Sequence, residues 1–410
     1  MKEIKIGLIN LYNIDNYGAN LMAFALRKEL SNLLPDVEST TVNYSPKQLN
    51  EYNLTTLSDI LEWIKTQRIL NPSFSLSSFL TKQIRMLFYR TKRYFYTHQE
   101  SKHEPKSTCR TNEREKRFTA FRNDFLNLSR KIRKSSDIKT LDCNAFIIGS
   151  DVVWKPKRLI GRERKVYFGM FCKRFPKIAY STSVGVDDIT ILERLKKRYS
   201  EAINNFSFLS MRESETIEFF KGFCNKEITH CVDPTLLCSR KDYDDLLVLG
   251  GCEDPLEKWG YVYVYLLGDN MEAYKFADSI AQKHGDRVLH HTNKSYSFQS
   301  QSYSTKNDGP VEFINRIKFA RFVITDSFHG TIFSIIYGKQ FFSFSRGNMS
   351  MRLKDFLDHI GMEDRLIDND SVHKTGIEKL INYNKVYYQL SNWKNQSKDY
   401  LRTSINLLKE

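Results

Sequence analysis

Short apolar runs alternate with amphipathic stretches along most of the chain, and this alternation predicts strands followed by helices. Apolar runs at 4–11, 145–148 and 177–183 predict buried strands in the first half of the sequence. Runs at 260–267 and 322–325 predict buried strands in the second half. Because helical patterns follow these runs, we expect parallel sheets that helices cover on both faces.

Shorter segments complete this α/β pattern. Further strands are predicted at 40–44, 208–211, 287–290 and 339–344. Helices are predicted from periodic apolar positions at about 20–33, 271–284, 311–320, 331–337 and 387–408. Two successive sets of strand–helix units imply two domains with a cleft between them.

The length of the chain supports this division. A chain of 410 residues exceeds the usual size of a single compact core. We therefore predict an N-terminal domain at 1–237, which a helical insertion at about 47–135 interrupts, and a C-terminal domain at 238–385. A terminal helix at 386–410 is expected to pack back on the first domain.

The net charge of the chain favours anionic binding partners. The net charge is +15 and the isoelectric point is about 9.3. Within the insertion, residues 79–98 mix Lys and Arg with aromatic residues and contain no acidic residue. This pattern favours contact with a membrane surface, and a solvated basic helix is the alternative. No nucleic-acid-binding motif accompanies the charge, so nucleic acid is not expected as a partner.

The remaining composition argues against several other classes. No apolar run is long enough to cross a bilayer, and the N-terminus has no cleavable signal pattern. The seven cysteines are scattered without metal-ligand spacing, which is typical of reduced thiols. We therefore expect a cytoplasmic protein, peripheral at most on the inner face of the plasma membrane, with no metal and no cofactor.

The segment around His329 carries the clearest chemical signal. An apolar strand ends at Thr325, a polar loop follows, and a helix begins near Thr331. Open α/β sheets bind ligands at such strand ends, and helix N-termini favour anions. Gly330 allows the backbone to approach a ligand. His329 is therefore a candidate catalytic residue, with a structural, hydrogen-bonded histidine as the alternative.

Three other polar loops share this placement after a predicted strand. They lie at 16–20, 149–151 and 211–213. Since the carboxyl ends of parallel strands lie along one edge of a sheet, all these loops are expected to border the cleft.

The same loops resemble those of the polysaccharide pyruvyl transferase family. The matching segments run in order from the N-terminus to about residue 345: NYGANLMAFAL, IIGSDVVWKP, YSTSVG, SMRESET, VDPTLL and FVITDSFHGTIFS. The resemblance implies two Rossmann-like domains in a GT-B-like arrangement, with the acceptor on the first domain and the donor on the second. It also implies transfer of a carboxyethylidene (pyruvyl ketal) group from phosphoenolpyruvate to two hydroxyls of one sugar.

The resemblance also assigns roles to residues of the donor site. Phosphoenolpyruvate carries a carboxylate and a phosphate, so it requires cationic groups and N–H donors. Arg212 matches a donor-contacting arginine, although an ion pair with Glu213 or Glu215 is the alternative. Relatives carry an arginine two residues before the histidine, where this chain has Ser327. The expected donor-binding residues are Arg212, Ser327, Gly330, Thr331, Arg346 and Arg352.

Catalysis of ketal formation requires a proton donor to the methylene carbon of the donor. By resemblance, His329 takes this role, with phosphate binding as its alternative. Asp151 is expected to orient or deprotonate the attacking hydroxyl, and its alternative is a helix cap. Asp326 is expected to orient His329 or cap its helix. The expected acceptor-binding residues are Asn16, Tyr17, Gly18 and Ser150.

The expected acceptor is a lipid-diphosphate-linked sugar of a bacterial surface polysaccharide, which the basic segment 79–98 would suit. Two other functions remain open. A GT-B glycosyltransferase would bind a nucleotide sugar in a similar basic cleft. A non-catalytic scaffold of polysaccharide assembly would not require His329, Arg212 or the turn glycines.

Overall fold

The computed structural model describes most of the chain outside the predicted insertion. It covers residues 3–45, 112–159, 161–186, 188–291, 296–346, 351–369 and 379–409, with isolated positions between 61 and 75. The basic segment 79–98 lies outside the described residues, as does most of the predicted insertion.

Six parallel strands form the sheet of the first half, in the order β2-β1-β3-β4-β5-β6. Their bounds are β1 Lys5–Ile9, β2 Glu38–Thr41, β3 Ala145–Asp151, β4 Lys177–Thr182, β5 Phe208–Met211 and β6 Ile228–His230. Every residue of β4 and all but the last of β3 are buried. Central strands of a parallel sheet need such continuous apolar runs because helices cover both faces.

Six parallel strands also form the sheet of the second half, in the order β12-β11-β10-β7-β8-β9. Their bounds are β7 Tyr261–Tyr265, β8 Arg287–His290, β9 Ser302–Ser304, β10 Phe322–Thr325, β11 Gln340–Phe344 and β12 Leu366–Ile367. The central strands β7 and β10 are buried throughout. The chain therefore has two Rossmann-like halves with parallel sheets.

Helices connect the strands in both halves. Those of the first half are α1 Tyr17–Leu33, α2 Glu113–Phe125, α3 Gly161–Tyr167, α4 Ile189–Ile203, α5 Ser214–Lys221, α6 Pro234–Leu237 and α7 Arg240–Leu249. Those that follow are α8 Met271–His284, α9 Pro310–Phe319, α10 Phe328–Ile336, α11 Met351–His359 and α12 Tyr383–Asn406. None of the helices in the described ranges has the length and apolarity needed to span a membrane.

Two helices begin three residues earlier than the sequence predicts. Helix α1 begins at Tyr17, where the Asn16 side chain accepts a hydrogen bond from the Ala19 N–H at 3.0 Å. Helix α10 begins at Phe328, where Ser327 is the cap. In both cases the sequence analysis assigned the first helical turn to a loop because it contains a glycine. The side-chain cap compensates for the low helix propensity of that glycine.

Aromatic side chains join the two halves through a shared core. The Tyr17 ring in α1 stacks on the Phe313 ring in α9, with ring centroids 4.5 Å apart. The Tyr17 hydroxyl donates a hydrogen bond to the Asp308 carbonyl at 3.0 Å. One continuous cluster of buried apolar residues contains members of both sheets. The halves are therefore packed together and not merely linked by the chain.

The terminal helix α12 packs against α1, α6 and β6 of the first half. Its Tyr400 hydroxyl donates to the Ala179 carbonyl at 2.8 Å, and its Trp393 ring N–H donates to the His230 carbonyl at 3.1 Å. Its Lys398 ammonium lies 2.7 Å from the carboxylate of Glu29 in α1, whose side chain is 2% exposed. The chain thus returns to the first half after completing the second.

We expect Lys398→Met to lower the free energy of unfolding by roughly 2 kcal/mol, because the buried Glu29 carboxylate would lose its ion-pair partner. The double variant Glu29→Leu/Lys398→Met should recover most of this loss, since no unpaired charge remains. Urea unfolding followed by circular dichroism measures both. An unchanged midpoint in the single variant would show that the pair does not stabilise the packing of α12.

Candidate active site

A cavity of about 150 Å³ lies between the two halves. Residues that follow β1, β3, β7, β10 and β11, with the start of α11, form its wall, so the strand ends of both sheets border it. The lining residues are Asn16, Asp151, Val152, Lys155, Leu267, Asp326, Ser327, Phe328, His329, Arg346, Arg352 and Leu353. The predicted residues Asn16, Asp151, Ser327, His329, Arg346 and Arg352 are among them.

His329 lies in the first turn of α10, at the positive end of the helix dipole. The Ser327 hydroxyl caps this helix by accepting the Gly330 N–H at 3.4 Å. The His329 side chain is 13% exposed, and its Nε2 lies 3.5 Å from the Asp233 carboxylate. The Ser327 cap therefore fixes the first turn of α10, and the Asp233 carboxylate faces the His329 ring on that turn.

Gly18 in α1 allows the His329 ring to approach that helix closely. A Cβ atom built on Gly18 would lie 2.1 Å from Nδ1 of His329. Such a distance is well inside van der Waals contact, so any larger residue would displace the imidazole. The two halves therefore position His329 together: α10 carries it and α1 limits where it can lie.

Arg212 is held in a buried network of charges behind the cavity. Its Nη1 donates to Asp233 at 2.6 Å, and its Nε lies 3.4 Å from Glu213. Its guanidinium also lies over the Phe328 ring, 4.8 Å from the ring centroid. The predicted alternative of an ion pair with Glu213 is thus present, but the shorter contact is to Asp233.

One nitrogen of the Arg212 guanidinium lacks a hydrogen-bond partner in the described part of the chain. This nitrogen, Nη2, is buried. Asp151 is the nearest carboxylate to it, at 3.8 Å. Buried donors are almost always satisfied, so an unsatisfied one beside a cavity indicates a group that a ligand would complete.

Asp151 stands at the end of β3 with a φ of 65°, in the left-handed region that aspartate tolerates better than most residues. Burial alone would raise the pKa of its carboxyl, but the charges of Arg212, Arg352 and His329 lower it below its ordinary value. The Arg352 guanidinium lies 3.9 Å away. Asp151 is therefore ionised at neutral pH, as an orienting or proton-accepting group requires.

Asp233 is the functional candidate that the sequence analysis missed. Burial opposes its charge, yet the positive charges of His329 and Arg212 hold the pKa of its carboxyl far below the ordinary value. Its other oxygen accepts the Thr235 N–H at 3.0 Å and so caps α6. The available signal was its position directly after a strand, in the VDPTLL segment, at the same sheet edge as Arg212.

Helix α11 brings second-half residues to the first half. It carries Arg352 and Leu353 into the cavity wall. Its Asp355 carboxylate accepts hydrogen bonds from the hydroxyl and the N–H of Ser214, at the start of α5. This contact holds α11 against the first half, two residues along the chain from Arg212.

Arg212 and Gly18 do not line the cavity, and neither do four other predicted substrate-binding residues. Tyr17 is fully buried in the shared core. Ser150 is buried and donates its hydroxyl to the Ser181 carbonyl at 2.7 Å. Thr331 is buried, and its hydroxyl bonds Ser327 and Ser343. Gly330 packs on Thr325 of β10. Core packing and internal hydrogen bonds already use these groups, and their contact with substrate stays a prediction.

Gly18 and Asp326 make other contacts than the sequence predicted. Gly18, predicted to bind the acceptor, lies beneath His329 instead of in the cavity wall. Asp326, predicted to orient His329 or cap its helix, instead accepts the N–H groups of Leu267 and Gly268 at 2.6 and 2.9 Å. It therefore fixes the loop after β7.

Lys155 is a cavity residue that the sequence analysis did not single out, although it belongs to the IIGSDVVWKP segment. The sequence did not indicate that Lys155 and Asp151 line the same cavity. Within the described ranges, no group of three His, Cys, Asp or Glu side chains is arranged to hold a metal ion.

Several solved structures align with the chain. A UDP-N-acetylglucosamine 2-epimerase aligns with a TM-score of 0.50 at 10% identity, over 98% of this chain and 95% of that one. The UDP-GlcNAc 2-epimerase of Neisseria meningitidis aligns with a TM-score of 0.49 at 6% identity, over 99% and 100%. The glycosyltransferase SnogD of Streptomyces nogalater aligns with a TM-score of 0.45 at 8% identity, over the full length of both chains.

At such low identity the likeness to the first epimerase shows the fold alone, which is GT-B-like. No curated protein sequence matches the chain. The model of the polysaccharide pyruvyl transferase family matches residues 16–348, a span that includes every cavity residue except Arg352 and Leu353. The chain belongs to the polysaccharide pyruvyl transferase family and is a transferase enzyme.

Proposed function

We propose that the protein transfers the carboxyethylidene group of phosphoenolpyruvate to two hydroxyls of one sugar and releases phosphate. The observation that carries this proposal is the small cavity that joins His329 and Asp151 to Lys155, Arg346 and Arg352. A volume of about 150 Å³ would hold on the order of ten water molecules, which suits a donor of this size. Its basic wall suits a carboxylate and a phosphate.

The proposed reaction begins at the enol double bond. His329 donates a proton to the methylene carbon, and the oxygen of one sugar hydroxyl bonds to the adjacent carbon, which becomes oxocarbenium-like. Asp151, which is ionised, orients that hydroxyl and accepts its proton. The phosphate then leaves with the bonding electron pair as the second hydroxyl bonds to the same carbon. The proton of this hydroxyl passes to His329, which the first step left without its proton.

Two buried groups support these steps from behind the cavity wall. Asp233 faces the His329 imidazole and the Arg212 guanidinium at once, so it holds both in place. The buried Arg212 guanidinium lies behind that wall, where its positive charge would attract the donor carboxylate or phosphate. Since Ser327 replaces an arginine of relatives, Arg346 and Arg352 supply positive charge to the donor in its place.

The proposed acceptor is a lipid-diphosphate-linked sugar of a bacterial surface polysaccharide, and the proposed location is the cytoplasmic side of the plasma membrane. The net charge of +15 supports an anionic acceptor or surface. Contact of residues 79–98 with the membrane stays a prediction.

Incubation with phosphoenolpyruvate and candidate glycans tests the function. We expect phosphate release together with a mass gain that matches one pyruvyl ketal. His329→Ala should lower the rate at least about a hundredfold while circular dichroism stays unchanged. Arg212→Lys keeps a positive charge beside Asp233 but loses the planar guanidinium, and it should lower the rate at least about tenfold. Full activity in either folded variant would remove the role of that residue. Stabilisation by nucleotides but not by phosphoenolpyruvate would instead favour a glycosyltransferase.

We expect Gly18→Ala to lower kcat about a hundredfold, because the new methyl group would displace the imidazole of His329 from its reacting position. Alanine favours a helix over glycine, so the fold should persist. Gly222→Ala is the control, since it adds a methyl group at a helix end outside the cavity wall. Wild-type kcat in folded Gly18→Ala would show that the close contact does not position His329.

We expect Arg352→Gln to move the acid limb of the kcat profile to higher pH. Removal of the guanidinium takes away a charge that lowers the pKa of Asp151, so this carboxylate would be protonated at a higher pH than in the wild type. The profile of kcat at saturating donor measures the shift. Lys354→Gln, an exposed change of equal charge on α11, should leave the limb in place. An identical limb in both variants would contradict a role for ionised Asp151.

A further inference from the structure

Lys155 enters the cavity wall from the first half, directly before the 3-10 turn Pro156–Leu159. Its side chain is partly buried. Within the described residues, its ammonium makes no hydrogen bond and no ion pair, unlike Arg212 and Arg352, which both lie near Asp151. Partial burial of an ammonium without a partner costs free energy. Its place in the cavity wall therefore indicates that an anionic ligand binds there and pairs with it.

The charges around Lys155 also favour an anionic ligand. Burial lowers the pKa of Lys155, and the charge of Arg352 lowers it further, while Asp151 acts in the opposite direction. Three basic side chains line the cavity, Lys155, Arg346 and Arg352, against two carboxyl groups, Asp151 and Asp326. The cavity wall therefore has an excess of positive charge, which an anionic ligand would relieve.

We propose that Lys155 binds the phosphoryl group of the donor, an assignment that rests on the proposed function. An ammonium is a compact point charge that suits the rounded phosphoryl group, whereas the planar guanidinium of Arg212 suits the fork of a carboxylate. When the phosphate leaves with its electron pair, negative charge grows on its bridging oxygen. Lys155 would neutralise that charge and so assist departure.

A diphosphate of the acceptor is the other possible source of a phosphoryl group. The place of Lys155 favours the donor, because Lys155 shares the cavity wall with His329 and Asp151. These two residues belong beside the reacting carbon of the donor in the proposed reaction.

Titration calorimetry with phosphoenolpyruvate, inorganic phosphate and pyruvate tests the assignment. Lys155→Gln should weaken binding of the first two by at least about tenfold, as expected for loss of a charge-assisted hydrogen bond. Pyruvate lacks the phosphoryl group, so its binding should change less than about twofold. Lys155→Arg should retain most of the affinity because it keeps the charge. In steady-state assays, Lys155→Gln should raise KM for phosphoenolpyruvate and lower kcat.

Lys157→Gln is the matched control, since it removes an exposed charge two residues away that does not line the cavity. It should bind all three ligands as the wild type does. Wild-type affinity of Lys155→Gln for phosphoenolpyruvate would overturn the assignment and leave the proposed function standing. So would weaker binding confined to a diphosphate-linked acceptor. A wild type that binds inorganic phosphate through Lys155 but not phosphoenolpyruvate would overturn the proposed function alone.

Discussion

The buried ion pair between Arg212 and Asp233 is the interaction on which the site depends. Both side chains are almost fully buried, so each charge is tolerated only because the other lies 2.6 Å away. The same Asp233 oxygen lies 3.5 Å from the His329 imidazole, which the second half carries. One carboxylate therefore ties a guanidinium of the first half to an imidazole of the second. The network is complete only when both halves are folded and packed.

Packing around this network has a similar two-sided character. Helix α10 presents His329, and Gly18 in α1 leaves the space that its ring occupies. Helix α11 reaches back to Ser214, next to the Arg212 segment, and carries Arg352 to Asp151. Each half thus supplies groups whose positions the other half determines. This mutual dependence explains why the cavity wall is built from strand ends of both sheets.

Most strands and the family could be predicted from the sequence because continuous apolar runs and ordered motifs are local signals. The short strands β6, β9 and β12 were not predicted, since two or three residues give no such signal. The starts of α1 and α10 were misjudged because their glycines, Gly18 and Gly330, resemble loop residues, although Asn16 and Ser327 are good caps. The burial of Tyr17 and Thr331 was not foreseen, because a motif does not reveal which of its side chains point into the core. The role of Asp233 depends on its contacts with Arg212 and His329, which are distant in sequence. No local sequence pattern indicates these contacts.

The stacking of Tyr17 on Phe313 constrains how substrates come and go. Swinging the halves apart about this contact would unstack the rings and expose buried aromatic surface to water, which disfavours the open arrangement. Sugars would then enter and leave through a mouth of nearly constant width, without a wide opening and closing cycle. In such an enzyme the residues at the rim, more than any swing of the lobes, would decide how bulky an acceptor is admitted.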